Sequence, residues 1–357
     1  MIKKHYWLPS LKNKWQQLEN SHIPPFMHYE YVYRMWRDYF LYCIQGRLYP
    51  VFFEVTNEDG KTVLIAPLVK NINNSSYSVF GNVNGCSNTS FIYSNDDEAK
   101  WAINQLIEYL SPSYIILSRV KDSSGFALLS NSINGYELIG KTSCVDISFA
   151  ESFKDWFSNL SKSQRQNIRT SYNRCLKDGL LIDFRIIKKN RIQNVEFTMP
   201  FDESNESAEI NGDIKGCSRR FLFNKMMSLY FVRHEKRYGV KTNIFKRFYL
   251  RYINFSSTNT FYDESATSFL LFMNGSLVAF MSGFSNEDGN QFIVPRLSID
   301  GDYSYYSPGV VLICETIRYL SSKTRIRVLD LSQGVESYKL RMGGKQYNNL
   351  CFKLHDL

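Results

Sequence analysis

The stretch from Tyr303 to Lys339, YSYYSPGVVLICETIRYLSSKTRIRVLDLSQGVESYK, constrains the fold most. Ser307 is a good N-cap, and Pro308 falls at the first helical position, where a missing N–H costs nothing. Gly309 leaves the first helical turn bare, so a ligand can approach the backbone there. Val310, Ile313, Cys314, Ile317 and Leu320 recur at helical spacing and predict an apolar face. A strand follows from Ile326 to Leu331, with Asp330 near its C-terminal end. A helix N-terminus beside a strand end can hold an anion such as a pyrophosphate. The plain alternative is an ordinary β–α–β unit with a capped helix.

The segments before this stretch predict a layered α/β chain. Tyr29 to Tyr42 reads as an aromatic-rich helix. Tyr49–Val55 and Thr62–Val69 read as strands joined at Asp59-Gly60, a hairpin signal. Tyr77 to Asn95 is loop-like. Asp96–Leu110 and Gly125–Asn131 read as helices, and Tyr114–Ser118 and Tyr136–Phe149 as strands. A second unit then begins with a short helix, Phe153–Leu160. Ser161 and Gln164 form a capping box for a helix that ends at Gly179. Ile168, Tyr172, Cys175 and Leu176 form its apolar stripe, with Lys162, Arg165 and Arg169 on the adjoining stripe. Leu180–Ile187 follows as a strand. The acidic run Asp202–Asp213 predicts a mobile loop, either a surface insertion or a lid. Ser218–Tyr238 and Ile244–Asn254 read as helices. Three strands, Ser268–Met273, Leu277–Phe284 and Gln291–Arg296, meander through Asn274-Gly275 and Asp288-Gly289 turns into the opening stretch. A last strand covers Leu350–Leu354. The two units, 1–150 and 151–357, repeat the same outline of elements without self-similar residues.

With 357 residues, two domains are the prior. The net charge of +9 suits polyanionic partners such as nucleotides, or is a solubility charge. No arginine-rich tail or zinc-finger spacing points to DNA. The cysteines, at 43, 86, 144, 175, 217, 314 and 351, include no CxxC pair. That pattern predicts buried thiols in a reducing cytoplasm. The five His residues give no HExxH and no ligand pair, so no metal is expected. The N-terminal MIKKHYWLPSLKNKW lacks the apolar run of a secretory leader. No run of about 18 apolar residues predicts a membrane span.

From Phe153 onward four segments resemble, in order, the tandem-domain acyltransferases of the GNAT superfamily. The resemblance is to CelD-like acetyltransferases, which share a fold with the peptidoglycan aminoacyl transferases. The segments are SKSQRQNIRTSYNRCLKDG (Ser161–Gly179), FLLFMNGSLVAF (Phe269–Phe280), YSPGVVLICETIRYL (Tyr306–Leu320) and VLDLSQGVESYK (Val328–Lys339). The resemblance implies two GNAT-like α/β domains in tandem, with mixed twisted sheets flanked by helices. It also implies that the second domain holds acyl-coenzyme A. The amides near Gly309, Val310 and Val311 would then cradle the pyrophosphate. Here the chain departs from the superfamily pattern, offering Pro-Gly-Val-Val where several Gly and a Gln or Arg are usual.

Acyl transfer to an amine needs a base for the ammonium, polarisation of the thioester carbonyl and a route out for the thiolate. Asp330 and Glu336 are the carboxylates in the key stretch, with Asp302 a third at the helix mouth. Tyr338 can donate a proton or stack on a base. Lys339 and Arg296 can neutralise phosphate. Tyr303, Tyr305 and Tyr306 line the approach to Pro308, and Lys162, Arg165 and Arg169 can border the acceptor. Each also has a structural alternative: a strand-end cap for Asp330, a solvated charge for Glu336, packing for the Tyr-Lys pair and a solvated face for the basic stripe. The resemblance implies transfer from acyl-CoA to an amino sugar, nucleotide-linked and of the dTDP-amino-deoxyhexose type, for a surface polysaccharide. The alternatives are tRNA-dependent aminoacyl transfer in peptidoglycan synthesis, and a non-catalytic sugar- or nucleotide-binding module.

Overall fold

The computed structural model describes residues 1–20, 23–46, 48–80, 88–149, 152–188, 191–195, 201–203, 210–213, 219–239, 266–285 and 289–356. Of these, Met1–Cys144 and Tyr347–Leu357 form one compact unit, and those from Val145 to Gln346 form a second.

Unit 1 opens with β1 (Ile2–His5), α1 (Lys12–Leu18) and α2 (Tyr29–Gly46). Strands β2 (Leu48–Thr56) and β3 (Thr62–Asn71) pair antiparallel, turning at Gly60 with φ +77°. That is the left-handed conformation an Asp-Gly hairpin requires. β4 (Ser76–Val79) and β5 (Ile92–Tyr93) both pair with β3. Next come α3 (Asp96–Leu110), β6 (Tyr114–Lys121), α4 (Gly125–Ser130) and β7 (Tyr136–Ser148). β6 lies parallel to β4, and the sheet core is built from Phe52, Phe53, Ile65 and Leu117, all fully buried.

The chain enters unit 2 within β7. There follow α5 (Phe153–Asn159), α6 (Lys162–Lys177), β8 (Ile182–Lys188), β9 (Arg191–Val195), β10 (Ile210–Asp213) and α7 (Arg219–Tyr238). The meander is β11 (Thr267–Met273), β12 (Ser276–Ser285) and β13 (Gln291–Ile299). After it come α8 (Pro308–Lys323), β14 (Val328–Gln333), α9 (Ser337–Arg341) and β15 (Gly344–Leu354). The end of β15 returns to unit 1, where it pairs antiparallel with β6. In unit 2, β8, β11, β12 and β13 are successive antiparallel neighbours, and β14 adds to β13 in parallel.

Local signals explain these boundaries. Ser161 Oγ accepts from the Gln164 N–H at 3.2 Å, and Gly179 ends α6 at φ +63° with Leu180 N–H donating to Cys175 O at 2.9 Å. The capping box is only half made. Gln164 is buried and its Nε2 donates to Met342 Sδ at 3.1 Å, so it does not return to Ser161. Helix α8 is buried nearly all round, including Glu315, Thr316 and Arg318, where an amphipathic helix with one apolar face is expected.

The acidic run is not all loop. Phe201 packs its ring 4.4 Å from that of Tyr172, β10 takes Ile210–Asp213, and residues 204–209 lie outside the described residues. The expected helix Ile244–Asn254 and the Asp288 half of the second meander turn also lie outside them.

Candidate functional site

The candidate site of unit 2 lies where two parallel strands part. β13 and β14 pair only through Gln291–Ile293 and Val328–Asp330. Beyond Ile293, β13 runs on to Ile299 along β12, while β14 turns away. The sequence accounts for both departures. Pro295 has no N–H to offer a neighbour at the point of parting. On the other strand Ser332 takes φ +55° and Gly334 φ +101°, turning the chain. Parting leaves backbone groups of β13 able to pair with an extended ligand. Leu297, Ile299, Tyr303, Tyr306, Val310 and Tyr338, all half-buried on the edge of the unit 2 core, give this region apolar walls.

Asp330 sits at the vertex, fully buried on β14. Its Oδ1 accepts from the Ser332 N–H at 2.8 Å and its Oδ2 from Gln291 Nε2 at 2.9 Å. The carboxylate thus fixes the turn at Ser332 and ties β14 to β13. Lys339, expected to meet a phosphate, is buried and points inward. Its ammonium donates to the carbonyls of Leu331, Gln333 and Gly334, each at 3.0 Å, and lies 2.9 Å from Glu336 Oε2. Three donors on three carbonyls leave none for an anion, so Lys339 is a pin for the β14–α9 turn.

Glu336 is the more open carboxylate, its side chain 38% exposed beside Gly334. Tyr338 is largely buried, and its phenol is pushed up to about 12 by burial, then by the Glu336 charge, against a lowering from Arg233.

The start of α8 differs from expectation. Ser307 takes the left-handed conformation, φ +51° and ψ +54°, and its side chain makes no cap bond. Its carbonyl instead accepts from Val310 N–H at 2.9 Å and Val311 N–H at 3.3 Å. Two of the three amides expected to cradle a pyrophosphate are therefore engaged within the turn. Among the described residues the Gly309 N–H meets no acceptor, and a Cβ at Gly309 would stand 3.3 Å from Ile299 Cγ2. The approach, a 3-10 turn over Gly301–Tyr306, is held by α6. Tyr306 donates to Asp178 Oδ2 at 2.9 Å, which raises its phenol, and Arg174 Nη1 donates to Tyr305 O at 2.7 Å.

The basic stripe on α6 divides. Lys162 is exposed. Arg165 closes the α5–α6 turn by donating to Ser158 O at 2.7 Å and Leu160 O at 2.5 Å. Arg169 pairs with Glu203 at 2.6 Å and lies over the Phe157 ring. Two of the three are thus committed to structure. Arg296 is half-buried on β13, donating to Pro295 O at 2.8 Å with its guanidinium 5.9 Å from the Tyr230 ring centre.

Sequence reasoning missed Arg233, whose Nη1 donates to Leu297 O at 2.5 Å on the strand that parts. It also missed Arg174 and Asp178, which lie one turn apart on α6; that spacing was the available signal. The remaining omission is the buried set inside α8. Tyr172 Oη donates to Glu315 Oε1 at 2.6 Å, and Arg318 Nε stands 3.6 Å from Glu315 Oε2. Arg318 Nη1 also donates to Asp202 O at 3.2 Å, and its guanidinium lies 4.3 Å from the Phe153 ring centre. Among the described residues no group of three or more His, Cys, Asp and Glu could hold a metal, and no helix is long and apolar enough to cross a membrane.

Residues 213–340 match the model of the acetyltransferase (GNAT) domain, and they contain β13, α8, β14 and most of α9. The C-terminal domain of a protein named as a lysylphosphatidylglycerol synthetase, from Agrobacterium fabrum, superposes at TM-score 0.54. Identity is 9%, over 98% of this chain and 93% of that one. FemX superposes at TM-score 0.55 with 10% identity, over 98% of this chain and 96% of that one. The chain is a GNAT-fold protein. At these identities the structural likeness is one of fold. No curated protein matches the sequence. For a GNAT-fold chain, the matched acetyltransferase domain supports acyl transfer as the chemistry of unit 2.

Proposed function

We propose that this GNAT-fold chain transfers an acyl group from acyl-CoA to the amine of an amino sugar. The acceptor is nucleotide-linked, of the dTDP-amino-deoxyhexose type, and destined for a surface polysaccharide. Such an enzyme would work in the cytoplasm, where both substrates are made. The observation that carries the reading is the parting of β13 from β14 beside the Gly309 N–H, which meets no acceptor among the described residues, within the segment matching the acetyltransferase domain.

In this reading the amide-bearing arm of the thioester lies along β13 between the apolar walls, and a β13 backbone N–H polarises the carbonyl. Gly309 approaches the diphosphate, with Pro308, Val310 and Val311 shaping the turn and Tyr306 and Arg296 at its borders. Glu336 is the base, since it alone of the two carboxylates reaches solvent, while Asp330 positions the turn that carries it. Tyr338, at about 12, stays protonated at neutral pH. A thiol titrates near 8.5, so full proton transfer from this phenol to a thiolate is uphill. Its role is a hydrogen bond to the developing thiolate, which takes up one of the two protons that the attacking nitrogen loses, by way of Glu336 or solvent, the other going to solvent. Lys162 is the member of the basic stripe left to meet an anionic acceptor. No covalent enzyme intermediate is needed, so orientation supplies much of the rate.

The test is release of free CoA thiol when the chain is mixed with acyl-CoAs and amino-sugar nucleotides in a panel of pairs. No thiol release and no CoA binding with any pair would sink the reading. Glu336→Gln should abolish turnover while CoA binding persists. Aminoacyl-tRNA serves as a further donor in the panel, and transfer from it alone would favour the aminoacyl-transferase reading. A binding module would hold its ligand unchanged in Glu336→Gln and release no thiol.

A further inference from the structure

Helix α7 brings to the parting of β13 and β14 a cation that the acyl-transfer reading does not use. Tyr230, Arg233 and Lys236 recur at a spacing of three on one side of α7. The Tyr230 ring centre stands 5.9 Å from the Arg296 guanidinium on β13, and Lys236 Nζ lies 3.2 Å from Asp302 Oδ1 in the turn before α8. Arg233 falls between them. Its Nη1 donates to Leu297 O at 2.5 Å, on the stretch of β13 that β14 has left. Its charge also reaches Tyr338, on the chain that follows β14, and lowers that phenol. Arg233 thus acts on both arms of the parting. An arginine carries five N–H donors on a planar fork and no acceptor. Arg233 Nε and Nη2 meet no acceptor among the described residues and keep surface open to solvent.

What Arg233 lacks is an anion. Arg169, Arg185 and Arg318 of the same unit each stand beside a carboxylate, of Glu203, Asp183 and Glu315 in turn. The carboxylates on either side of Arg233 have other cations: Glu336 lies 2.9 Å from Lys339 Nζ, and Asp302 has Lys236. A half-buried guanidinium with open nitrogens suits an oxyanion, which it meets with two parallel bonds. Position says which substrate brings that oxyanion. In the proposed acyl transfer the donor's diphosphate lies at Gly309, and the arm from there to the thioester holds only uncharged amides. Tyr338 belongs to the thioester end, so an anion beside it comes with the acceptor. Resting on that reading, we propose that Arg233 binds an oxyanion of the acyl acceptor, phosphoryl or carboxylate, and makes unit 2 select amino sugars that carry one.

The test is calorimetric titration of the full chain with D-glucosamine, D-glucosamine 1-phosphate and D-glucosaminuronic acid, in the parent, Arg233→Gln and Arg233→Lys. At least one of the two anionic sugars should bind about tenfold more tightly than D-glucosamine, and the tighter of them names the source of the oxyanion. Arg233→Gln should lose that advantage and bind D-glucosamine as the parent does. Arg233→Lys, charged but without the fork, should keep only part of it. No preference for an anionic sugar in the parent, a preference undiminished in folded Arg233→Gln, or an equal loss for all three sugars would each overturn the proposal, the last leaving Arg233 as a brace for β13. Where Arg233→Gln does not fold, an undiminished preference in Arg233→Lys overturns it instead. The titration uses no acyl donor. Arg233-dependent binding without thiol release from any pair would break the acyl-transfer reading alone, and thiol release with an unchanged acceptor KM in Arg233→Gln would break this proposal alone.

Discussion

Each unit buries a glutamate, and the two surroundings act on it in opposite directions. In unit 1, Glu54 is fully buried on β2 and accepts from Lys14 Nζ at 2.5 Å, Thr62 Oγ1 at 2.6 Å and His5 Nε2 at 3.0 Å. Burial pushes its carboxyl up, but the bonds from Lys14, Thr62 and His5 outweigh that and hold it below the usual range. In unit 2, Glu315 has the Tyr172 phenol at 2.6 Å and the Arg318 guanidinium at 3.6 Å. Burial wins there, and its carboxyl is raised. The depth of burial set against the number and closeness of donors decides the sign. The difference also has a structural use. Glu54 joins β2 to β1 through His5, to α1 through Lys14 and to β3 through Thr62. The Glu315 set reaches from α8 to α6 through Tyr172, and to residues 201–203 through Arg318, so it fixes α8 at its middle.

The most forceful way to break the comparison is to remove a cation. Arg318→Leu takes away the guanidinium over Phe153 and the donor to Asp202 O, and leaves Glu315 buried with a phenol alone. Losing the guanidinium's packing on Phe153 and its bond to Asp202 O should cost about 2–3 kcal/mol, while Glu315, its carboxyl already raised, can take up a proton. Hydrogen exchange read unit by unit should show α6, α8 and residues 201–203 opening more readily, with unit 1 unchanged. Protection retained throughout would mean the pair contributes little.

Neutral replacements sharpen the contrast. Glu54→Gln loses charge-assisted bonds from three donors, each worth about 1.5–3 kcal/mol, though Lys14 and His5 can turn to solvent. A net loss of about 2 kcal/mol in unit 1 is expected. Glu315→Gln keeps an acceptor for Tyr172 and should cost under about 1 kcal/mol. Equal costs would show that Glu315 is ionised as firmly as Glu54.

Acid titration gives a smaller effect of opposite sign in the two units. The folded Glu54 carboxyl lies below the unfolded value near 4.3. Its stabilisation is present above that pH and lost as pH falls through the folded value. The folded Glu315 carboxyl lies above 4.3, so its contribution is complete below that pH and lost as pH rises through the folded value. Subtracting each Gln variant's exchange profile from the parent's isolates the two curves. Curves of the same sign would end the comparison.

What was legible from the sequence follows from how local each signal is. The Asp59-Gly60 and Asn274-Gly275 turns, the Gly179 helix end and the bounds of α3 depend on a few adjacent residues, and the structure places them as read. The α/β class follows from the same order of elements. Side-chain destinations across the chain were not legible. Lys339 and Arg165 look solvated because their partners are backbone carbonyls, which every sequence has. Glu315 and Arg318 lie off the apolar stripe predicted for α8, and only the docking of α6 and Phe201 makes that face interior. The parting of β13 and β14 was half written, in Pro295 and Gly334, but the left-handed Ser332 depends on Asp330 lying beneath it.

The smallest predicted effect separates the two helices that frame the site. Ser161 and Ser307 look alike in sequence, each preceding a helix of 16 residues. Ser161 Oγ caps α6, so Ser161→Ala should cost about 1 kcal/mol. Ser307 makes no side-chain cap bond, and its carbonyl serves Val310 and Val311 whatever the side chain. Ser307→Ala should therefore change stability by only a few tenths of a kcal/mol, while Ser307→Gly, free of the left-handed penalty of about 1 kcal/mol, should stabilise. Thermal melts of the three variants decide it. A loss in Ser307→Ala as large as in Ser161→Ala would mean that α8 depends on its cap. The expected order means that α8 does not depend on a side-chain cap and is held by contacts along its length, the Glu315 and Arg318 set among them.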